Sequence, residues 1–407
     1  MRSTAFALAL LLLPTAVAAE DDFTACTERL FTEARAAGIA PATLARLRPE
    51  LEPLARVLRL DRAQPEFTQS FARYLDGRVD GWRLRRGRAL LAQHADLLNE
   101  IEQRHAIDPA LLVALWGLET NFGGNFGDVP VFSALATLAC DGRRAALFDQ
   151  EWLAALQLLE AGSLPLEARG SWSGAMGHMQ FMPSTIAAHA GDHDGDGRID
   201  LWRSLADAFG SAATYLRAAG WQPGEPWGRE VVLPDDFDLA LNGRDRSRPL
   251  TAWQDAGVTA AHGELSDDPG TLEASLLLPS GHHGPAFLLY PNFDVLLTWN
   301  ASTFYALSVG LLADRLSGAP PLQTTPPDEP RLHRDQVSEL QERLTALGFD
   351  AGPADGVVGP LTRAALRDWQ QHAGLPADGH PNKTSLEALR NAEPFQPPLD
   401  RVTPPES

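Results

Sequence analysis

The segment from residue 107 to residue 124 constrains the fold of this chain most strongly. It reads IDPALLVALWGLETNFGG, and its apolar residues recur at the spacing of an α-helix. Asp108 suits the N-cap of this helix, and Pro109 suits its first position, where a missing backbone N–H is no loss. A glycine pair that begins at Gly123 ends the helix. We therefore predict a buried helix with one carboxylate, Glu119, in its last turn.

Glu119 occupies an unfavourable position for an ionised carboxylate. The C-terminal end of a helix carries partial negative charge, and apolar surroundings also disfavour the anion, so both effects raise the pKa. A carboxyl group that keeps its proton near neutral pH can act as a general acid. The alternative is a surface glutamate on a frayed helix end, since glutamate is seldom fully buried. The other motifs of the chain must decide between these interpretations.

The N-terminus has the pattern of a cleaved secretory signal. Arg2 gives a positive start, and the apolar run from Ala5 to Ala18 ends in small residues and is too short to span a bilayer. No cysteine follows this run at the position that a lipid anchor requires. We predict that residues 1–19 are removed, and that the mature protein is soluble, periplasmic and without a transmembrane segment.

Composition excludes several classes of partner and site. The net charge of −19 argues against nucleic acid and anionic membranes, because both bind basic surfaces. The histidines show no metalloprotease spacing such as H-E-x-x-H. Only two cysteines are present, Cys26 and Cys140. In an oxidising compartment an even pair favours a disulfide between them, and two buried thiols are the alternative.

The pattern from residue 20 to residue 316 predicts one large domain. Helical periodicity dominates to about residue 220 and returns at Ala301. Between these positions, Pro, Gly and Asp clusters separate strand-like runs, which suggests a small β-containing subregion. The runs are residues 230–233, 275–278 and 286–290. The predicted fold class is mainly α (α+β).

A proline-rich stretch separates this domain from a smaller one. Residues 317–331 are predicted to be an extended linker. Residues 332–391 have the pattern of a small three-helix unit with helix-ending glycines. The tail from residue 392 to residue 407 is again proline-rich and is predicted to be disordered.

Two further stretches carry candidate ligand-binding groups. Residues 170–184 read GSWSGAMGHMQFMPS, where small residues let the backbone approach a ligand and Ser171 and Gln180 supply hydrogen-bonding groups. The alternative is a loop with Met and Trp side chains packed in the core. Asn300 suits the N-cap of a helix that carries Tyr305, so capping and packing also explain these two residues.

An aspartate-rich segment resembles the start of an EF-hand calcium loop. In such loops oxygen ligands converge on the ion through a sharp glycine turn. The candidate ligands are Asp192, Asp194, Asp196, the backbone carbonyl of Arg198, Asp200 and, further along, Asp207. Arg203 stands where the bidentate glutamate belongs, so Asp207 would have to replace that ligand. Structural Ca²⁺ is one interpretation, and a turn held by side-chain to backbone hydrogen bonds is the other.

Taken in order, these motifs resemble those of the membrane-bound lytic murein transglycosylase B family. The matching stretches are GLETNFG at 117–123, GSxxGAMGxxQFMPS at 170–184, the aspartate loop, and WNxSxxY at 299–305. Residues 332–391 resemble the short peptidoglycan-binding domain, through LQxxLxxLGF, DGxxGxxT and GLxxDG.

The first resemblance implies a lysozyme-like catalytic domain. Such enzymes cleave the β-1,4 bond between N-acetylmuramic acid and N-acetylglucosamine without water and leave a 1,6-anhydromuramoyl end. The residues that match the family's functional positions are Glu119 as the catalytic group, with Ser171, Gln180, Asn300 and Tyr305 as glycan contacts. The second resemblance implies tethering of the enzyme to peptidoglycan. Neither resemblance requires a cofactor.

The expected mechanism needs one carboxylate. Glu119 protonates the leaving oxygen while the acetamido group of the substrate assists at the anomeric carbon, and it then takes the proton of the C6 hydroxyl. Asp128 and Asp141 are candidates for a second acid, but neither belongs to a motif. Trp299 replaces a tyrosine of some family members, which keeps a stacking contact and loses a hydroxyl contact. A hydrolytic muramidase and a noncatalytic wall-binding protein are the alternatives.

Overall fold

A computed structural model describes residues 16–62, 69–265 and 272–392 of the chain, with side chains from residue 22 onward. Most of the predicted signal sequence, and the predicted disordered tail from residue 393, lie outside the described residues. The chain divides into two compact units. The first comprises residues up to Arg62 and Gly123–Ser211, and the second comprises Ala63–Phe122 and residues from Ala212 onward.

Helices dominate both units, as the predicted fold class requires. The first seven are α1 (Ala16–Ala36), α2 (Pro41–Leu47), α3 (Ala55–Asp61), α4 (Phe71–Asp76), α5 (Gly81–Gln93), α6 (Ala95–His105) and α7 (Pro109–Thr120). The next seven are α8 (Val131–Cys140), α9 (Ala145–Glu160), α10 (Pro183–His189), α11 (Leu205–Ala218), α12 (Leu250–Asp255), α13 (Pro291–Trp299) and α14 (Thr303–Leu316). The last three are α15 (Arg334–Ala346), α16 (Pro360–His372) and α17 (Lys383–Asn391).

The first unit is built around α8 and α9, against which α1 and α10 pack. Phe31 and Phe132 both meet the ring of Trp152 edge to face, at centroid distances of 6.2 and 6.3 Å. A disulfide between Cys26 and Cys140 joins α1 to the end of α8. The predicted pairing of the two cysteines is therefore confirmed.

Helix α7 lies at the centre of the second unit, packed by α5, α6 and α14. Its residues from Ala110 to Gly117 are all buried, and Asp108 caps it by accepting the backbone N–H of Ala110 over 2.7 Å. The helix ends at Asn121, which takes the left-handed conformation two residues before the predicted glycine stop. His94 leaves helical geometry and separates α5 from α6.

The predicted β subregion is an antiparallel sheet in the second unit. Its strands, in spatial order, are β4 (Arg248–Pro249), β6 (Glu273–Leu277), β7 (Ala286–Leu289), β3 (Gly228–Val232) and β5 (Thr259–Ala260). A separate pair, β1 (Val129–Pro130) and β2 (Arg169–Gly170), lies in the first unit. Trp253 fills the core beneath the larger sheet and donates its indole N–H to the carbonyl of Ala274 over 2.9 Å. The three strand-like runs of the sequence correspond to β3, β6 and β7.

The proline-rich linker is extended but is fixed to the second unit at two points. The carboxylate of Glu230 accepts the backbone N–H groups of Gln323 and Thr324 over 2.7 and 2.8 Å. Further along, Asp328 accepts the hydroxyl of Ser70 over 2.7 Å and pairs with Arg73. The linker therefore holds the helices α15 to α17, here called the C-terminal module, close to the rest of this unit.

No helix among the described residues is by itself long and apolar enough to cross a membrane. Helices α13 and α14 meet these criteria only as a pair, and a bend of 114° separates them.

Candidate active site

Two side chains donate hydrogen bonds to the carboxylate of Glu119, which lies mostly buried in the last turn of α7. Trp299, the last residue of α13, donates its indole N–H to Oε1 over 2.9 Å. Tyr305, in the first turn of α14, donates its hydroxyl to the same oxygen. Ser302 caps α14 and accepts the backbone N–H of Tyr305 over 3.2 Å. The bend between the two helices thus directs both donors at Glu119.

Burial raises the pKa of Glu119 from its ordinary value of 4.5 to about 7, although the hydrogen bonds from Tyr305 and Trp299 lower it. This direction agrees with the expectation from sequence. Burial and the adjacent carboxylate raise the pKa of Tyr305 well above its ordinary value, so this hydroxyl keeps its proton and acts as a donor. Near neutral pH, Glu119 can therefore exist in either protonation state, as acid–base exchange requires.

The two hydrogen bonds distinguish the carboxyl oxygens of Glu119. Oε1 accepts both, and no hydrogen bond from the described residues reaches Oε2. Because the two acceptor positions of Oε1 are occupied, the proton of the neutral acid belongs on Oε2. Oε2 is therefore the atom that can exchange a proton with a ligand, while Oε1 stabilises the anion that remains.

The turn after Glu119 is fixed by its own residues. Asn121 and Phe122 both adopt positive φ, at 50° and 60°. Arg83 donates to the side-chain oxygen of Asn121 over 2.6 Å, and the ring of Phe122 folds back onto Gly117. A Cβ atom at Gly117 would lie 2.7 Å from that ring, so only glycine fits there. These contacts explain why the motif contains glycine two residues before the glutamate.

Tyr215 supports Trp299 from the side. The two rings are tilted by 38° at a centroid distance of 5.3 Å, and the Tyr215 hydroxyl donates to the carbonyl of Thr298 over 3.1 Å. Sequence reasoning assigned no role to Tyr215 and expected Trp299 only to stack. The sequence could have identified Trp299, because it stands beside Asn300 in a matched motif. Tyr215 belongs to no such motif.

Asn300 does not cap the helix that carries Tyr305, and this prediction is wrong. The cap is Ser302, because the chain continues in extended conformation through Asn300 and α14 begins only at Thr303. The side-chain oxygen of Asn300 accepts the backbone N–H of Ser302 over 3.0 Å. Its amide N–H₂ group donates no hydrogen bond to the described residues, so it is available to a ligand.

Ser171 and Gln180 belong to the first unit. The Ser171 hydroxyl accepts the backbone N–H groups of Ser173 and Ala175 over 3.3 and 3.1 Å. Gln180 has a positive φ of 48°, and its amide donates to the carbonyls of Phe126 and Gly177 over 3.3 and 3.1 Å. These bonds fix both side chains within their loop.

The candidates for a second acid are both engaged in ion pairs of the first unit. Asp128 pairs with Arg56 at 3.3 Å, and Asp141 pairs with Arg62 at 2.8 Å. The hydrogen-bond partners of the Glu119 carboxylate among the described residues are Trp299 and Tyr305.

The aspartate loop gathers three of the predicted ligands. One carboxylate oxygen each from Asp192, Asp194 and Asp196 lies within 4.8 Å of the others, and all three residues are exposed. Asp207 is instead buried, where it accepts the backbone N–H groups of His193 and Asp200 over 2.7 and 2.8 Å.

Asp200 and Arg198 are also used within the loop. One oxygen of Asp200 accepts the backbone N–H groups of Trp202 and Arg203, each over 3.0 Å. The backbone N–H of Arg198 donates to Asp196 over 2.8 Å. Among the described residues, the side chains gathered closely enough to hold a metal ion are the carboxylates of Asp192, Asp194 and Asp196.

Comparison with protein families identifies both parts of the chain. Residues 22–314 match the transglycosylase SLT domain, and residues 333–389 match the putative peptidoglycan binding domain. The chain belongs to the family of proteins with a transglycosylase SLT domain. The predicted family resemblance and the second domain are thus confirmed.

The chain is similar to several characterised transglycosylases. It is 34% identical to membrane-bound lytic murein transglycosylase B of Escherichia coli strain K12 over 239 residues, which are 55% of this chain and 61% of that protein. The match thus spans less than two thirds of that relative.

Solved structures confirm the lysozyme-like, mainly α fold. SltB3 from Pseudomonas aeruginosa, in complex with NAG-NAM-pentapeptide, is 44% identical, with a TM-score of 0.85 over 90% of this chain and 99% of that one. The Escherichia coli lytic transglycosylase Slt35, in complex with calcium, is 29% identical, with a TM-score of 0.61 over 72% of this chain and 92% of that one.

Proposed function

We propose that this chain is a lytic murein transglycosylase that cleaves the β-1,4 bond between N-acetylmuramic acid and N-acetylglucosamine in peptidoglycan. The observation that carries the proposal is the geometry at Glu119, a mostly buried carboxyl group with a pKa of about 7 and two donors on one oxygen. The family membership and the peptidoglycan fragment in the related SltB3 complex support it.

Glu119 acts first as the acid. Its proton, carried by Oε2, moves to the glycosidic oxygen as the bond from that oxygen to the anomeric carbon breaks. The bonding electron pair stays with the leaving oxygen, and the acetamido group of the substrate assists at the anomeric carbon. Trp299 and Tyr305 stabilise the carboxylate that remains, because their hydrogen bonds strengthen as Oε1 gains negative charge.

Glu119 then acts as the base. The C6 hydroxyl oxygen of the muramic residue attacks the anomeric carbon, and its proton passes to Oε2 of Glu119. The product carries a 1,6-anhydro ring, and the enzyme returns to its starting protonation state without consuming water. No second carboxylate is needed, in agreement with the ion pairs that engage Asp128 and Asp141.

The other predicted site residues bind the glycan strand in this proposal. Ser171 orients the acetamido group, while Gln180 and Asn300 hold the sugars. Tyr305 has a further task, since its hydroxyl contacts the catalytic oxygen directly. The C-terminal module binds peptidoglycan and keeps the enzyme on its polymeric substrate. A cleaved signal sequence delivers the protein to the periplasm, where peptidoglycan lies.

The products released from purified sacculi test this function. Mass spectrometry of the muropeptides should show anhydro ends, which are lighter than reducing ends by one water molecule. Glu119→Gln should release none, since glutamine cannot donate the proton. Reducing ends would identify a hydrolytic muramidase, and binding to sacculi without any release would identify a noncatalytic wall-binding protein.

We also propose that the aspartate loop binds a structural Ca²⁺ ion. Asp192, Asp194 and Asp196 supply three hard oxygen ligands on one exposed loop, a donor set that suits this cation. The related Slt35 has been solved in complex with calcium, which supports the choice of this cation. The ion would brace the loop, and no step of the reaction passes through it.

Calorimetric titration of the chelator-treated protein with CaCl₂ tests the ion site. We expect Asp194→Asn to weaken binding at least about tenfold, because it removes one of three charged ligands. Asp235→Asn, which changes an exposed aspartate elsewhere, should leave binding unchanged. A protein that binds no Ca²⁺ would show that the loop is held by hydrogen bonds alone.

A further inference from the structure

The turn that carries Gln180 is a tight hairpin of the first unit. Met176 and Phe181 pair in antiparallel fashion, and each donates its backbone N–H to the carbonyl of the other over 2.9 Å. Between them, Gly177 and Gln180 adopt positive φ, at 71° and 48°. This conformation is unfavourable for residues other than glycine and persists only where surrounding contacts impose it. The conformation of Gln180 therefore depends on the contacts that hold the hairpin.

The hairpin also fixes the side-chain amide of Gln180. Its Nε2 donates to the carbonyls of Phe126 and Gly177 over 3.3 and 3.1 Å. These two bonds use both amide hydrogens, so the oxygen Oε1 is the polar atom that remains for a ligand. No hydrogen bond from the described residues reaches Oε1. In the proposed function, Gln180 therefore accepts a hydroxyl or acetamido N–H group of the glycan.

His178 lies within the hairpin and is buried, with 8% of its surface exposed. Its backbone N–H donates to the carbonyl of Leu201 over 2.9 Å. Its ring forms a hydrogen bond with the backbone of Trp202. Burial lowers the pKa of His178 and this bond raises it, as expected where a ring N–H donates to a carbonyl. His178 therefore joins the hairpin to the end of the aspartate loop through its backbone and its side chain.

The end of the aspartate loop is held in place by carboxylates. Asp200 accepts the backbone N–H groups of Trp202 and Arg203, each over 3.0 Å. The buried Asp207 accepts the backbone N–H of Asp200 over 2.8 Å. Leu201, whose carbonyl His178 binds, is itself buried. The segment that His178 contacts is thus fixed independently of the hairpin and can serve as its support.

The backbones of the hairpin and the aspartate loop approach each other closely. A Cβ atom at Gly177 would lie 2.9 Å from the carbonyl oxygen of Leu201, so glycine is required there. The ring of His178 also meets the ring of Phe126 edge to face, at a centroid distance of 4.9 Å. Phe126 supplies one of the two carbonyls that orient the amide of Gln180. His178 therefore contacts both the aspartate loop and the segment that orients Gln180.

We propose that His178 is a positioning residue, which ties the hairpin to the aspartate loop so that Oε1 of Gln180 is presented to the glycan. The inference rests on the proposed function, in which Gln180 holds the sugars. His178 acts through Gln180, and the part of its side chain that matters is the ring N–H that binds the backbone of Trp202. A residue that only filled space would need the ring and not the N–H. Variants that keep one of these features and remove the other separate the two roles.

Hydrogen exchange of the mature full-length protein tests the positioning without any substrate. His178→Phe keeps an aromatic ring beside Phe126 and removes the N–H donor, whereas His178→Gln keeps a donor and removes the ring. We expect the backbone amides of residues 176–181 to exchange at least about tenfold faster in His178→Phe, and near the wild-type rate in His178→Gln. Unchanged exchange in His178→Phe would overturn the proposal. Equal acceleration in both variants would also overturn it, because ring packing would then hold the hairpin.

Turnover of purified glycan strands measures the consequence for binding. Gln180 holds the sugars in the ground state and the transition state alike, so its displacement should raise KM and leave kcat nearly unchanged. We expect KM to rise at least about fivefold in His178→Phe and to stay within about twofold of the wild type in His178→Gln. A loss of kcat without a change in KM, or equal losses in the two variants, would overturn the positioning role. Faster exchange with an unchanged KM would overturn the link to glycan binding.

His262→Leu provides the matched control. The ring of His262 contacts the backbone carbonyl of Pro321 over 3.1 Å, at an exposed place in the second unit. Its loss should leave both KM and the exchange of residues 176–181 at their wild-type values. A control that raised KM as much as His178→Phe would overturn the proposal. If the wild-type protein cleaves no glycan, the proposed function fails, and the exchange measurement still decides whether His178 holds the hairpin.

Discussion

The indole N–H of Trp299 donates to Oε1 of Glu119 over 2.9 Å, on the oxygen that also accepts the hydroxyl of Tyr305. Two donors on one carboxyl oxygen stabilise the anion and leave the other oxygen to carry the proton. A tyrosine at this position would offer a hydroxyl group as a hydrogen-bond donor. The indole N–H of Trp299 is also a donor, so the larger ring keeps a hydrogen bond to Glu119. The contact therefore bears on the acid strength of Glu119 as well as on stacking.

Trp299→Phe should raise the pKa of Glu119 above its present value of about 7. The indole hydrogen bond lowers this pKa, and hydrogen bonds to charged groups contribute about 1.5 to 3 kcal/mol, which corresponds to roughly 1 to 2 pKa units. The limb of the pH–rate profile that reports loss of the acid should move to higher pH by that amount. Measurement of kcat on purified sacculi from pH 5 to about pH 9 checks this shift.

Trp82→Phe provides the matched control, because Trp82 is an exposed tryptophan of the same unit that contacts Phe122 rather than Glu119. Its profile should coincide with that of the wild-type protein. A shift of the Trp299→Phe profile to lower pH would show that the indole does not stabilise the carboxylate.

Glu119→Gln should stabilise the protein at alkaline pH. The pKa of Glu119 is about 7 in the folded chain and 4.5 as the ordinary value, so the folded state binds the proton more tightly than the unfolded state. Stability from this group is therefore full below pH 4.5 and is lost as the pH rises to about 7. The loss amounts to roughly 3 kcal/mol at most, and a neutral glutamine avoids it.

Urea unfolding at pH 4 and at about pH 8 measures this effect. The two proteins should have similar unfolding free energies at the lower pH and differ by up to about 3 kcal/mol at the higher pH. Burial also raises the pKa of Asp314 to about 6, but this group is present in both proteins and cancels in the difference. If the variant were less stable than the wild type at about pH 8, the ionised carboxylate of Glu119 would not destabilise the folded state, which would contradict the prediction.

Much of this site follows from local sequence. The buried helix α7, its Asp108 cap and the raised pKa of Glu119 all derive from the order of apolar residues around a single carboxylate. The hydrogen bond from Trp299 does not, because it depends on the bend between α13 and α14 and spans 180 residues of sequence. The same holds for Tyr215, whose ring supports Trp299 only after the chain folds.

The linker shows another limit of sequence reasoning. A proline-rich composition predicts an extended segment, which the structure has, but it contains no information about what the segment contacts. Gln323 of the linker is bound by Glu230, which lies 93 residues earlier in the sequence. Asp328 of the linker is bound by Ser70, which lies 258 residues earlier. Composition alone therefore predicts a free linker, whereas in the folded chain the linker is bound to the second unit.

Loss of the disulfide should destabilise the first unit. Cys26 and Cys140 are separated by 114 residues in sequence, and closing a loop of that size restricts the unfolded chain by about 4 to 5 kcal/mol on the loop-entropy estimate. Replacing both cysteines by alanine should lower the unfolding free energy by an amount of that order. Urea unfolding of the variant and of the oxidised wild type measures it, and a wild type treated with reductant should match the variant. Equal stability of oxidised and reduced protein would contradict the expectation.

Arg367→Ala should release the C-terminal module from its docked position. Its guanidinium group donates to the carbonyl of the buried Asn242 and pairs with the exposed Asp245 at 3.2 Å. Removal of a charged donor from the buried carbonyl costs about 1.5 to 3 kcal/mol. The hydrophobic core of the module does not include Arg367, so the module itself should stay folded.

The linker, residues 317–331, should then become cleavable by proteinase K under native conditions. Arg390→Ala, which removes an exposed arginine of the same module, should leave cleavage at the wild-type rate. Equal rates for all three proteins would show that contacts other than Arg367 hold the module.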